Sequence, residues 1–130
     1  MAKSDAQMEL LFKALADRTR LRLLNLMAAG EVCVCFFVEV LGTNQPKISR
    51  HLAYLRRAGV VAARREGKWM HYRIETPEGE HAARVFSEVM TWLGEDRDMQ
   101  KDRARMASIC CAPRMPVRLQ GAPRPAGVNA

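Results

Sequence analysis

The spacing of apolar residues changes once along the chain, and this change constrains the fold more than any other feature. Over the first 58 residues, apolar side chains recur every three to four positions, as on the buried face of a helix. From residue 60 to residue 74 the spacing falls to two, as in half-buried strands. Glu66-Gly67-Lys68 divides this stretch and provides a glycine for the positive φ of a tight turn. The sequence therefore predicts several helices and then one β-hairpin, with strands at 60–65 and 69–74.

Capping residues divide the first part of the chain into four predicted helices. The first 30 residues contain two, with Asp17 as the N-cap of the second and Gly30 after its end. A short third helix over 34–41 and a turn follow. Asn44 is a good N-cap for the fourth helix, which ends near Gly59. Three apolar residues of this helix, spaced i, i+4 and i+7, form its predicted buried stripe: Ile48, Leu52 and Leu55.

The chain after the hairpin is predicted to form one long helix and a tail. Pro77 starts the helix, whose C-terminal end lies between Gly94 and Met106. Its apolar face consists of Ala82, Val85, Phe86, Val89 and Leu93. The last 18 residues contain four prolines and two glycines, which predicts a flexible basic tail. We therefore expect a folded domain over 1–106 and a Cys-containing, Pro/Gly/Arg-rich flexible tail over 107–130.

Positive charge is concentrated in one segment of the chain. The whole sequence carries 21 Lys and Arg against 14 Asp and Glu, a net charge of +7. Residues 45–73 carry eight basic side chains against Glu66 alone, whereas residues 74–100 have an excess of acidic side chains. A solvated basic face is one explanation. A block this dense, between neutral and acidic segments, is more typical of a polyanion-binding surface.

The sequence also bounds the location and the chemistry of the protein. No stretch approaches the ~20 apolar residues of a membrane span, and the N-terminus has no signal-peptide hydrophobic region. We therefore expect a cytoplasmic protein without a membrane partner, whose four cysteines are thiols. A thiol redox enzyme is not indicated, because the chain has no Cys-x-x-Cys motif and no nucleophile–base arrangement. We expect no enzymatic activity and no organic cofactor.

A helix, a turn, a second helix and a two-stranded hairpin describe a winged helix-turn-helix, a mainly α fold with a small β-hairpin. In such folds the second helix, here about 45–58, enters the major groove of double-stranded DNA. Gln and Arg pair with base edges, whereas Lys and Ser more often contact phosphates. The residues predicted to contact operator DNA from this helix are Gln45, Lys47, Ser49, Arg50 and His51. Those predicted at the hairpin tip are Arg64, Arg65 and Lys68.

The apolar faces of the first and last helices predict self-association. They flank the DNA-binding core in sequence, and so small a domain cannot bury both faces completely. We therefore expect a homodimer through these two helices, which would read a palindromic operator. The alternative is that both faces close the core of a single chain.

Four sequence segments carry a resemblance to a known family. Residues 14–24 read ALADRTRLRLL, residues 31–35 EVCVC, residues 45–52 QPKISRHL and residues 65–73 REGKWMHYR. In this order they resemble the arsenic-responsive branch of the ArsR-type (ArsR/SmtB) metalloregulatory repressors, over about residues 5–95. The resemblance implies a winged-helix homodimer that represses a resistance operon. It also implies release of the operator when a trivalent metalloid binds.

The cysteines match the family pattern only in part. The arsenite site of the family looks like Glu-Leu-Cys-Val-Cys-Asp-Leu-Cys, and Cys33 and Cys35 match its first two thiols. Phe36 replaces the acid, and Val38 stands where the third cysteine would be. Trivalent arsenic and antimony are soft, three-coordinate ions that suit thiolate ligands. Two thiolates leave the site one ligand short, and the other cysteines are Cys110 and Cys111.

Three arrangements of the thiols remain open. Cys110 or Cys111, from the same or the partner chain, completes a trithiolate with Cys33 and Cys35. Alternatively, the vicinal pair Cys110-Cys111 is the main site and suits a methylated or aryl arsenical that already carries one carbon ligand. In the third arrangement Cys33 and Cys35 are buried small hydrophobes and the tail pair is incidental. A related alternative is a repressor that senses thiol oxidation.

The spacing of Cys33 and Cys35 suggests how an ion could act on DNA binding. On an ideal helix, residues i and i+2 point about 200° apart, because each residue turns ~100°. The two thiols can therefore chelate one ion only if the start of the third helix is unwound. Ion binding would then favour a conformation in which the recognition helices no longer match the operator, with a coupling of typically ~1–3 kcal/mol.

Overall fold

The computed structural model describes residues 2–110, residue 119 and residues 121–125. In this part of the chain, helices and strands follow one another in the order α1 Ala2–Leu15, α2 Arg18–Leu26, β1 Val32–Cys33, α3 Val34–Leu41, α4 Gln45–Arg57, β2 Val61–Glu66, β3 Trp69–Ile74, α5 Glu80–Glu95 and α6 Arg97–Cys110. No helix in these described ranges is long and apolar enough to cross a membrane. The predicted mainly helical fold with a small β-sheet is confirmed.

The predicted helix boundaries follow from the caps. The Asp17 carboxylate accepts a hydrogen bond from the Arg20 backbone N–H at 3.0 Å, at the start of α2. The Asn44 side chain accepts one from the Lys47 N–H at 2.9 Å, at the start of α4. Gly42 ends α3 with φ of 68°, a left-handed conformation that favours glycine. The turn between α3 and α4 is thus determined by local contacts.

The core lies between α2, α3, α4 and the sheet. Ile48, Leu52 and Leu55 are fully buried, which confirms the predicted stripe of α4. Phe36 and Phe37 of α3 are also fully buried. Burial of such side chains stabilises the fold by about 1.5–3 kcal/mol each. Because α4 is held by this stripe, its opposite face is left in solvent.

The sheet contains a strand that the sequence pattern did not reveal. Its order is β1-β3-β2, and both pairings are antiparallel. The hairpin of β2 and β3 is the predicted one. The additional strand β1 has only two residues, too few to show a period of two. It places Cys33 directly opposite His71 of β3.

The predicted last helix corresponds to α5, which ends at Glu95, within the predicted range of 94–106. A separate helix after it was not predicted: α6 follows, and Asp96 lies between the two. Asp96 has an extended conformation, with ψ of 133°, and its carboxylate accepts a hydrogen bond from the Met99 N–H at 3.1 Å. This interaction is an N-cap, and it starts α6.

Polar contacts dock α6 against α2. The Arg22 guanidinium donates to both carboxylate oxygens of Asp102, at 2.7 and 3.0 Å. The buried Asn25 donates to the Met99 carbonyl at 2.8 Å and accepts from Arg103 at 2.6 Å. Hydrogen bonding satisfies the buried amide, which would otherwise destabilise the core. Helix α6 therefore packs against its own chain.

Part of the predicted tail packs against the domain. Helix α6 continues four residues beyond the predicted boundary at 106, because Met106 and Cys110 both face the core. Leu119 and Ala122 are also buried in that core. Residues 111–118, 120 and 126–130 of the predicted tail lie outside the described residues.

Candidate DNA-binding face and dithiol site

Helix α4 presents most of its predicted DNA-contact residues to solvent. Gln45, Lys47 and Arg50 are exposed, and Ser49 is half-buried. Their exposure follows from the buried stripe of α4, because a helix with one buried face exposes the other. The geometry is that of a second helix in a helix-turn-helix, in which α3 supports α4.

His51 is oriented differently from these residues. Its Nδ1 atom lies 3.4 Å from an Arg20 guanidinium nitrogen and 3.9 Å from an Asp17 carboxylate oxygen. Arg20 also packs over the ring of Tyr54, with its guanidinium carbon 4.3 Å from the ring centroid. His51 thus contacts the start of α2. Its predicted role in DNA binding stays a prediction.

The three predicted hairpin residues have different surroundings. Arg65 and Lys68 are exposed, and Lys68 lies over the Trp69 ring at 5.0 Å. The Arg64 guanidinium donates two hydrogen bonds to the Glu31 carboxylate, at 2.6 and 3.2 Å, and one to Glu66 at 3.5 Å. The bond from Arg64 lowers the pKa of Glu31, so the pair is ionised near neutral pH. Arg64 is therefore held by carboxylates on two sides.

Cys33 and Cys35 lie together at the start of α3. Their sulfur atoms are 3.1 Å apart. Cys33 is the last residue of β1 and precedes α3, with extended φ and ψ of −72° and 140°. The helical rotation of ~100° per residue therefore does not apply between these two positions. Chelation was expected to require an unwound start of the third helix. Because Cys33 already lies before α3, the two thiols can bind one ion without disrupting that helix.

The two thiols differ in their affinity for a proton. A hydrogen bond with Cys35 lowers the pKa of Cys33 to about 6, against the opposing effect of burial and with smaller contributions from backbone N–H groups and His71. The same bond raises the pKa of Cys35, and burial adds to this effect. One thiolate and one thiol are thus expected near pH 7. The thiolate is the form of cysteine that binds soft ions.

The tail cysteines are placed only in part. Cys110 is 1% exposed and belongs to the same apolar core as Cys33. Within residues 2–110, 119 and 121–125, no three His, Cys, Asp or Glu side chains are grouped so that they could hold a metal ion. One chain therefore does not bring Cys110 together with the Cys33–Cys35 pair in this part of the structure. Cys111 lies outside the described residues.

Two residues next to the thiols were not singled out as site residues from the sequence. Glu31 lies two positions before Cys33, and His71 lies opposite Cys33 in the sheet. His71 is 4% exposed, and its Nε2 has no hydrogen-bond partner among the described residues. Only the pairing of β1 with β3 could have indicated this proximity. We call Glu31, Cys33, Cys35, Arg64 and His71 the dithiol corner.

Helices α1 and α5 expose large apolar side chains. Met8 and Phe12 of α1 are 56% and 52% exposed, and Trp92 of α5 is 71% exposed. A cavity of about 580 Å³ lies beside Met8 and Phe12, between α1 and the start of α5. Exposed apolar side chains of this size are typical of protein–protein contact surfaces.

Comparison with known proteins identifies the family. Residues 17–63 match the model of the family described as "Bacterial regulatory protein, arsR family". The arsenical resistance operon repressor of Escherichia coli strain K12 is 42% identical over 103 residues, which cover 78% of this chain and 86% of that protein. The chain belongs to the ArsR family. A second relative of this ArsR-family chain is the arsenic resistance transcriptional regulator ArsR1 of Pseudomonas putida, 42% identical over 113 residues, 83% of this chain and 84% of that protein.

Solved structures show the same fold. One is the homodimeric winged helix-turn-helix DNA-binding domain of a possible ArsR-family regulator from Mycobacterium bovis. It is 38% identical with a TM-score of 0.59, and the match covers 72% of this chain and 84% of that one. Another is the AntR antimony-specific transcriptional repressor, 29% identical with a TM-score of 0.54, over 73% of this chain and 84% of that one. The predicted winged helix-turn-helix of this ArsR-family protein is confirmed.

Proposed function

We propose that this ArsR-family protein is a metalloid-responsive transcriptional repressor. As a homodimer it binds a palindromic operator, and it leaves the operator when trivalent arsenic or antimony bonds to Cys33 and Cys35. The observation that carries this proposal is the 3.1 Å separation of the two sulfur atoms at the start of α3, the first helix of the helix-turn-helix. The names of the two 42% identical relatives, both arsenic-resistance regulators, support the choice of ion.

The exposed face of α4 is proposed to read the operator. Gln45 and Arg50 would contact base edges in the major groove, with Lys47 and Ser49 on phosphates. Arg65 and Lys68 at the hairpin tip would contact the backbone beside the major-groove site. The exposure of all these residues except the half-buried Ser49 supports this assignment.

The homodimer is proposed to form through α1 and α5. The exposed Met8, Phe12 and Trp92 supply the apolar surface. Helix α6 is already docked on α2 of its own chain. Helices α1 and α5 therefore remain for the contact between the two chains. The homodimeric Mycobacterium bovis domain supports a dimer of this kind.

The dithiol is proposed to bind the ion covalently. For arsenite, each As–S bond replaces an As–OH bond, and the displaced hydroxyl leaves as water. When the Cys33 thiolate reacts, the hydroxyl takes its proton from solvent, and when the Cys35 thiol reacts, it takes the thiol proton. The Cys33 thiolate attacks first, and Cys35 then closes the chelate. A third sulfur from Cys110 or Cys111, in the same or the partner chain, completes the three-coordinate site.

The test measures binding of the protein to the promoter DNA upstream of its own gene by fluorescence anisotropy, with and without arsenite. Wild-type protein should bind with a steep salt dependence and lose affinity when arsenite is added. Cys33→Ser should bind equally well and not respond, because it lacks the thiolate. The proposal is wrong if Cys33→Ser with Cys35→Ser is released as readily as wild type.

Sulfur counting identifies the third ligand. X-ray absorption of the arsenic-bound wild-type protein should show three sulfur neighbours, and the count should fall to two in Cys110→Ser or in Cys111→Ser. If both variants keep three, the tail cysteines are not ligands. If arsenic stays bound after Cys33 and Cys35 are both replaced, the vicinal tail pair is the main site.

A further inference from the structure

Three residues of the sheet form a row that joins the dithiol to the β2–β3 hairpin, which is the wing of the fold. Cys33 of β1 pairs with His71 of β3, and His71 pairs on its other side with Arg64 of β2. Residues directly opposite one another in antiparallel strands project from the same face of the sheet, about 4.5–5.5 Å apart at Cβ. The site of metalloid bonding and a basic residue of the wing are thus connected by two strand pairings.

Glu31 contacts two residues of this row, Arg64 and His71. It lies two positions before Cys33 and holds the Arg64 guanidinium through both carboxylate oxygens, at 2.6 and 3.2 Å. Its carboxylate also lies 3.8 Å from His71 Nδ1. Paired hydrogen bonds between a guanidinium and a carboxylate fix orientation as well as distance. The position of Arg64 therefore depends on the position of the chain just before Cys33.

We infer that Glu31 is a positioning residue that couples the dithiol to the wing, and this inference rests on the proposed function. Without a metalloid, Glu31 holds Arg64 and the wing in the orientation suited to the operator. When one ion bonds to both sulfurs, residues 33–35 are constrained as a chelate, and the carboxylate of Glu31 shifts relative to Arg64. The wing then loses its orientation, and the operator is released.

Coupling through Glu31 does not require α3 to unwind when the ion binds. Cys33 already lies outside α3, and its sulfur already lies beside that of Cys35. Chelation therefore needs no helix unwinding, whereas a small shift of β1 reaches Arg64 directly through one ion pair. Coupling between two sites of a protein is typically about 5- to 150-fold.

Glu31→Gln tests the inference, with Glu66→Gln as its matched control. Both substitutions remove one negative charge close to Arg64, so their general effect on DNA affinity should be alike. Glu66 lies on the wing, however: it makes one 3.5 Å contact with Arg64, and its other carboxylate oxygen lies 3.4 Å from His71 Nε2. Neither contact joins Arg64 to the chain just before Cys33. The quantity measured is the ratio of promoter-DNA affinities without and with saturating arsenite. This ratio should fall about fivefold or more in Glu31→Gln and stay near the wild-type value in Glu66→Gln.

Further measurements separate the possible outcomes. Arsenic per chain after desalting should be the same in wild type and Glu31→Gln, because the sulfurs are intact. Equal ratios in wild type, Glu31→Gln and Glu66→Gln would overturn the inference while leaving the proposed function in place. No effect of arsenite on wild-type protein would instead overturn the proposed function. If Glu31→Gln proves unstable by thermal unfolding, Arg64→Ala breaks the same pair from the exposed side and should reduce the same ratio.

Discussion

In helix α4, the cap at Asn44 and the stripe that ends at Leu55 orient the exposed face, and these residues lie close together in sequence. In the dithiol corner, 33 positions separate Glu31 from Arg64, and 38 separate Cys33 from His71. The first region is organised by helical periodicity. The second is organised by a sheet that brings three distant segments together.

This difference has a functional consequence. The exposed face of α4, which is proposed to bind DNA, can change its side chains without affecting the contacts that orient the helix. The dithiol corner has no such independence, because the hydrogen bond with Cys35 affects the acidity of Cys33 and the ion pair with Glu31 holds Arg64. The proposed sensor site is therefore connected to the wing by the contacts that form it.

The largest expected effect concerns the acidity of Cys33, which depends on the contacts of the dithiol corner. Thiolate absorbance in the ultraviolet, followed against pH, should show a step near pH 6 in wild-type protein. The sign follows from the bond with Cys35, which stabilises the thiolate and so lowers the pKa. The ordinary cysteine value is about 8.5, so the change in proton affinity is roughly 100-fold or more.

Two variants control this titration. The step near pH 6 should be absent from Cys33→Ser. In Cys35→Ser it should change position, because the thiol that stabilises the Cys33 thiolate is replaced by a hydroxyl. A wild-type protein with no thiolate below pH 8 would contradict the interpretation of the corner as a coupled pair.

The next effect concerns the α4 face alone. Arg50→Ala should lower promoter-DNA affinity by about 10- to 100-fold, because a bidentate contact with a base contributes roughly 1–3 kcal/mol. The arsenite-induced change should keep its wild-type factor, since Arg50 is not in the dithiol corner. Fluorescence anisotropy checks both numbers.

Arg84→Ala is the matched control for Arg50→Ala. It removes the same charge from an exposed helix position on α5, where Arg84 pairs with Glu80. Its effect on DNA affinity should be small. An equal loss in both variants would show that net charge, and not the α4 face, determines binding.

The smallest effect concerns the cap that orients α4. Asn44→Ala removes the acceptor of the Lys47 N–H and should lower the free energy of unfolding by about 1 kcal/mol. Denaturant unfolding measures this change, and Thr43→Ala at the preceding position should be close to wild type. An unchanged stability in Asn44→Ala would mean that the α4 boundary does not depend on its cap.

Local patterns were sufficient for most of the fold. The caps at Asp17 and Asn44, the stripe of α4 and the hairpin turn all involve residues within a few positions of one another. Helix α6 was not predicted as a separate helix because the capping role of Asp96 is visible only once its carboxylate meets the Met99 N–H. The packing of α6 on α2 likewise depends on partners about 80 positions apart.

The sequence predicted the exposed face of α4 better than the geometry of the dithiol corner. The residue types and spacing of Gln45, Lys47 and Arg50 were enough to expect an exposed basic face. The pairing of Cys33 with Cys35 was expected from the resemblance, but their geometry was not. An ideal helix would separate the two side chains, whereas the strand β1 ends between them and places the sulfur atoms in contact.

The amino-acid sequence was enough to predict the order of the first four helices and the hairpin, the exposed face of α4 and the presence of two closely spaced thiols. These depend on contacts over one or two helical turns, for which the spacing of apolar residues is sufficient. The tertiary structure was needed to show that Cys33 lies opposite His71 and that Glu31 holds Arg64. A two-residue strand has no periodic pattern, and a long-range ion pair has no local signal, so both become visible only when the sheet brings distant segments together.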